Sequence, residues 1–160
     1  MNQTQLIQNC KDIIEKDFKW KAPEKILILY DEDTGLSRLL KCGYEEGAKA
    51  LGATLETVLF TLDDAENIVT KIKTQYHPSD LIILVQSTSF RVSAYRWRNL
   101  LCEQGLKVVE HSHLSKVKED EYQTYIDSLN YDFSLQEKKC RALTHYLQKA
   151  AQIKIVSEKS

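Results

Sequence analysis

Residues 25–31 read Lys25-Ile26-Leu27-Ile28-Leu29-Tyr30-Asp31, and residues 80–85 read Asp80-Leu81-Ile82-Ile83-Leu84-Val85. Both runs are apolar without alternation, too unbroken for a strand with one wet face. Each predicts a β-strand covered on both sides, and the two belong side by side at the centre of a parallel sheet. Thr54–Phe60 alternates more and fits an edge strand. Lys107-Val108-Val109-Glu110 and Ile153-Lys154-Ile155-Val156 supply a fourth and a fifth.

Helical patterns fill the spaces between these runs. Leu6, Ile7, Cys10, Ile13, Ile14 and Phe18 recur at three- and four-residue steps, and Pro23 stops that helix. Asp33 or Thr34 can cap a second helix, whose face carries Leu36, Leu39, Leu40, Gly43, Gly47, Ala50 and Leu51 before the turn at Gly52. Gly43 and Gly47 would let this helix approach the sheet closely. A third helix starts at Asp63 or Asp64, runs to about Tyr76 and is broken at Pro78. Gln86-Ser87-Thr88-Ser89 is expected to turn directly into a fourth helix with a Phe90, Ala94, Trp97 and Leu101 stripe, closed at Gly105. Helical residues follow over Glu119–Leu129, and a longer helix from Ser134 puts Cys140, Leu143, Leu147 and Ala150 on one side. Such alternation predicts an α/β, three-layer, doubly wound domain with a mostly parallel five-stranded sheet. It would be flavodoxin-like or Rossmann-like, with the order 2-1-3-4-5 favoured over 3-2-1-4-5.

The chain has 160 residues, with 22 Lys+Arg against 23 Asp+Glu and a formal net charge of −1. Its length suits a single domain, since domains commonly run ~100–200 residues. No apolar run approaches the ~20 residues that span a bilayer, and the N-terminus lacks a signal-peptide core. The charge balance argues against a general polyanion binder, so neither nucleic acid nor membrane is expected as a partner. Cys10, Cys42, Cys102 and Cys140 form no C-x-x-C pair and lie at or near apolar helix positions. They read as reduced core or near-core thiols of a cytoplasmic protein.

A ligand of such a sheet sits beyond the carboxyl ends of the strands, where the strand order reverses. In the favoured order that point lies between strands one and three. The candidate ligand-binding residues are therefore Asp31, Asp33 and Thr34 from one loop, with Ser87, Thr88, Ser89 and Arg91 from the other. A helix N-terminus at the second loop would suit a small anion, with helix capping the plainer role for the serines and threonines. Asp31-Glu32-Asp33 could hold a hard cation or act as the acidic pocket of a receiver domain. However, Val85-Gln86-Ser87 offers no aspartate to phosphorylate. No G-x-G-x-x-G or G-x-x-x-x-G-K-[ST] fingerprint is present, which speaks against dinucleotides and nucleotide hydrolysis. His111 and His113 read as an exposed loop pair rather than a zinc site. Arg91, Tyr95 and Arg98 would share a helix face turned to solvent or a partner.

Four stretches carry a further likeness: Glu24–Asp33; Gly43–Ala53, ending Leu51-Gly52-Ala53; Ser87-Thr88-Ser89 with Ser93, Arg96, Cys102 and Gly105; and Asn130-Tyr131-Asp132-Phe133 leading to Val156-Ser157. Together they resemble the N-terminal domain of the metallo-aminopeptidases typified by aminopeptidase T and aminopeptidase S, the thermophilic metalloproteases. A ring-cleaving dihydroxypyridine dioxygenase looks similar to the same superfamily. The resemblance implies that residues 1–160 are the N-terminal domain of a longer, two-domain hydrolase. Its two divalent metal ions would be held by a missing C-terminal catalytic domain, so no catalytic and no metal-ligating residue is assigned here. The present domain would supply a wall of the substrate cleft, a hinge partner or part of a homodimer surface. The alternatives are a stand-alone flavodoxin-like module for a small anion or a protein partner, and a degenerate receiver-type regulator.

Overall fold

The computed structural model describes residues 2–92, 95–130, 132–152 and 154. The chain divides into two compact units, residues 1–130 and 131–160.

In the first unit the two apolar runs become neighbours. Strands β1 (Lys25–Tyr30), β2 (Thr54–Leu59), β3 (Leu81–Val85) and β4 (Lys107–His111) form one all-parallel sheet in the order β2-β1-β3-β4. Ile26 lies opposite Leu81, and the pairing runs on to Tyr30 opposite Val85. Successive side chains leave a strand on opposite faces. Ile26, Ile28, Leu81, Ile83 and Val85 accordingly enter one core, while Leu27, Leu29, Ile82 and Leu84 enter the other. Each such side chain contributes roughly 1.5–3 kcal/mol by leaving water.

The first core is roofed by α1 (Gln3–Asp12), α2 (Gly35–Ala50) and α5 (Tyr122–Ser128), through residues such as Leu6, Leu40, Tyr44 and Ile126. The second is roofed by α3 (Ala65–Gln75) and α4 (Trp97–Glu103), through Ile68, Ile72, Trp97 and Leu101. This is a doubly wound α/β fold, Rossmann- or flavodoxin-like, with four described parallel strands. The fifth expected strand, Ile153–Val156, falls largely outside the described residues.

Three expectations are corrected. Gly43 and Gly47 bring α2 against α1 rather than against the sheet. A Cβ at Gly47 would stand 2.9 Å from the backbone nitrogen of Lys11, and one at Gly43 would stand 2.9 Å from Leu6 Cγ. Second, the chain after β3 does not enter a helix at Phe90. An antiparallel hairpin, Arg91–Val92 with Tyr95–Arg96, comes first, and α4 starts only at Trp97. The loop between is tied instead to the chain after β4, the carbonyls of Gln86 and Ser87 accepting from the backbone nitrogens of Leu114 and Ser115. Phe90 N–H turns to the Gln86 side-chain oxygen. Arg91 and Tyr95 therefore do not share a helix face with Arg98. Third, of the four free cysteines only Cys10 is buried; Cys42, Cys102 and Cys140 are exposed.

Polar clamps close both ends of the β1–β3 pair. At the amino end, Asp80 accepts from the backbone nitrogens of Lys25 (2.7 Å) and His77 (2.8 Å). At the carboxyl end, Asp31 Oδ2 accepts from the backbone nitrogen of Ser87 at 2.7 Å.

The second unit contains α6 (Phe133–Lys149), capped by the Asp132 carboxylate accepting from the Leu135 nitrogen. Leu135, Leu143, Tyr146 and Leu147 are all exposed along it. No helix among the described residues is long and apolar enough to cross a membrane.

Candidate functional site: the carboxyl ends of β1 and β3

The strand order reverses between β1 and β3, and there the two expected loops meet. Asp31, the residue after β1, is only 7% exposed. Ser87 lies beyond β3, fully buried, and its hydroxyl is 2.9 Å from Asp31 Oδ2 and 3.1 Å from Asp33 Oδ2. Ser87 is held in turn by its carbonyl, which accepts from the Ser115 hydroxyl at 2.7 Å. One serine thus ties two carboxylates together across the switch point.

A cavity of about 390 Å³ opens beside them, lined by Asp31, Asp33, Thr88, Ser89 and Arg91. Its apolar wall comes from Phe60, Phe90 and Leu62. The Phe60 and Phe90 rings stack with centroids 4.0 Å apart, and Phe60 is fixed by its N–H donating to the Tyr30 carbonyl. Leu62 is 77% exposed. Sequence reasoning missed this wall. Phe60 follows β2 directly, and its place at the carboxyl end of an edge strand beside β1 was the available signal.

Thr34 and Ser87 do not line the cavity. Thr34 caps α2: its hydroxyl accepts from the Ser37 nitrogen at 3.0 Å, and Ser37 Oγ lies 3.3 Å from the Thr34 nitrogen. Ser87 supports the cavity from behind by orienting the carboxylates. With no helix beginning at this loop, the dipole expected to attract an anion is missing.

No family model, no curated protein and no solved structure matches this chain. The site therefore has to be read from its own chemistry.

Asp31 Oδ1 is buried without a hydrogen-bond partner. Among the described residues neither Asp31 nor Asp33 joins an ion pair. No three His, Cys, Asp or Glu side chains among the described residues converge as a metal site.

Two other features compete for attention. A larger cavity of about 540 Å³ lies between α2 and the segment leading into α5, lined by Arg38, Leu39, Cys42 and Tyr122 among others. Two of its polar groups are engaged elsewhere: Arg38 donates to the Glu32 carbonyl, and Gln123 donates to Asp127.

His111 is the second feature, and it corrects an expectation. It is not an exposed loop residue but a buried one, between Tyr44 Oη at 2.6 Å from Nε2 and Tyr125 Oη at 2.8 Å from Nδ1. Burial pushes its imidazole down to about 4 and the Tyr125 phenol up to about 12. A neutral imidazole has one donor and one acceptor, so one tyrosine donates to it and the other accepts. The trio joins β4 to α2 and α5 inside the core. His113 is exposed, in a left-handed turn at φ 60°.

Proposed function

We propose that this chain is the N-terminal, ligand-facing domain of a metallo-aminopeptidase-like hydrolase, with the switch-point cavity as one wall of the substrate cleft. The carrying observation is that two stretches of that resemblance, Glu24–Asp33 and Ser87-Thr88-Ser89, meet at one cavity although far apart in sequence. In this reading a C-terminal domain supplies the two metal ions, the carbonyl polarisation and the activated water. The residues here orient and enclose the substrate. The exposed apolar side chains of α6 fit a surface covered by further protein, whether that domain or a second copy.

The test is hydrolysis of a leucine anilide in the presence of Co²⁺ or Zn²⁺. The chain alone should be inactive, whereas the protein carrying a C-terminal metal domain should be active. Asp33→Asn in that longer protein should raise KM several-fold with kcat nearly unchanged, as expected for uniform binding. Hydrolysis by the chain alone, or none by the longer protein, would remove this reading.

A second reading, a self-sufficient flavodoxin-like binding module, is favoured by one observation. The cavity is complete within residues 31–91 of one compact unit. It predicts saturable ligand binding by the chain with no peptidase activity in any longer product.

A further inference from the structure

We propose that the cavity beyond β1 and β3 is a receptor for an organic ammonium ion, a primary amine on an apolar body, with Asp31 and Asp33 taking the charged head. The proposal deepens the reading above and rests on this cavity being a ligand site.

The first argument is charge. Asp31 and Asp33 both turn an oxygen to the single Ser87 hydroxyl, 2.9 and 3.1 Å away. A hydroxyl has one proton, so at any moment it satisfies only one of them. Arg91 lines the same cavity, yet among the described residues it makes no ion pair with either carboxylate. Two carboxylates that share one hydroxyl proton repel each other, and a ligand cation between them would relieve that repulsion.

The second argument is the orphan acceptor. Asp31 lines the cavity, and its Oδ1 is buried with no donor. A buried acceptor left unsatisfied costs roughly 1–3 kcal/mol, and more when charged. A turn of the Asp31 carboxylate that brings Oδ1 to a ligand donor in the cavity would offset that cost.

The third argument selects the kind of cation. A bound Mg²⁺ keeps several waters and demands an octahedral set of oxygens. Here the wall facing the carboxylates is phenyl and leucine: Phe60 stacked on Phe90, with Leu62 nearby. An alkylammonium satisfies both sides at once. Its N–H groups form charge-assisted bonds to the carboxylates, its chain covers the apolar wall, and the ring faces attract the positive end. The volume of about 390 Å³ lies within the ~300–1,000 Å³ of ordinary small-ligand pockets.

The test titrates the complete chain with three molecules of one shape, hexylamine, hexan-1-ol and hexanoate, and separately with Mg²⁺ alone. Binding is read by calorimetry and by amide chemical shifts. The amine should bind saturably, shifting Asp31, Asp33 and residues 87–91, with the alcohol about tenfold weaker or worse and the acid not binding. Asp33→Asn, at an exposed position, should weaken the amine by about tenfold without loss of fold. The isostere series on the unmodified chain keeps the proposal testable if an Asp31→Asn variant does not fold. Equal affinity for amine and alcohol, shifts mapping elsewhere, or Mg²⁺ at the carboxylates without amine binding would each overturn it. Peptide hydrolysis plays no part in these readouts. Amine binding alongside an inactive longer protein leaves this site standing and removes only the aminopeptidase reading; an active longer protein whose amino-terminal domain ignores amines does the reverse.

Discussion

Single residues set several distances in this molecule. Gly47 has no side chain because Lys11 backbone lies where a Cβ would go, 2.9 Å away. Gly47→Ala should therefore force α1 and α2 apart and destabilise the protein by ~1–3 kcal/mol, read as a lowered denaturant midpoint at unchanged slope. Gly43→Ala meets the Leu6 side chain and Cys10 Sγ, which can shift, so its loss should be smaller. His111 acts through protonation. Its folded value of about 4 lies below the ordinary 6.5, so between these limits the unfolded chain binds the extra proton. Stability is then fully present above pH 6.5, falls as the pH drops through that window, and is lost by about pH 4, a change of ~3 kcal/mol. Urea titrations across this range should show that slope for the natural chain, and His111→Gln should flatten it.

At the scale of elements, the cap of α2 separates two roles that the sequence left mixed. Thr34 was a candidate for ligand contact and for capping, and its hydroxyl is spent on the Ser37 nitrogen. Thr34→Ala should lower stability by ~1 kcal/mol while leaving amine affinity as it is, the opposite pattern to Asp33→Asn. The apolar runs made the central strands legible, because Leu81–Val85 is short, follows the breaker Pro78 and is buried at every residue, as a doubly covered strand requires. The segment after β3 was illegible for an equally physical reason. Phe90, Trp97 and Leu101 do share one core, as a helical stripe would require. Their spacing, however, does not disclose that residues 114–115 bond the Gln86 and Ser87 carbonyls, or that Arg91–Val92 pairs with Tyr95–Arg96 before α4 begins. His111 was misread similarly: only the fold brings Tyr44 and Tyr125 to its two nitrogens. Asp31, Asp33 and the Ser87 loop come together as expected because the switch point is a property of strand order, which the apolar runs already encode.

For the whole molecule, the exposed row on α6 is the feature that reaches outward. Leu143 is 58% exposed and Tyr146 72% exposed, on a helix with no buried residue among those described. A second copy of the chain is the nearest apolar surface in a purified sample. Sedimentation of the isolated chain should show concentration-dependent self-association, and Leu143→Glu should abolish it without changing the far-ultraviolet spectrum of the sheet domain. A monomer at all concentrations would remove the homodimer expectation.

The clamps at the two ends of β1 and β3 have one more consequence. Because both faces of both strands are equally greasy, sliding β1 past β3 by one residue would trade one set of aliphatic contacts for another of nearly equal worth. The oil in the middle is indifferent to alignment, so the alignment has to come from the tips. Asp80 at one tip and Asp31 at the other are the detents that stop the slide, and they are mirror images in task but not in surroundings. Asp80→Asn should loosen the sheet about as much as Asp31→Asn does, yet leave hexylamine affinity untouched. The pair thereby offers an internal yardstick: whatever Asp31 does beyond its twin is done for the ligand.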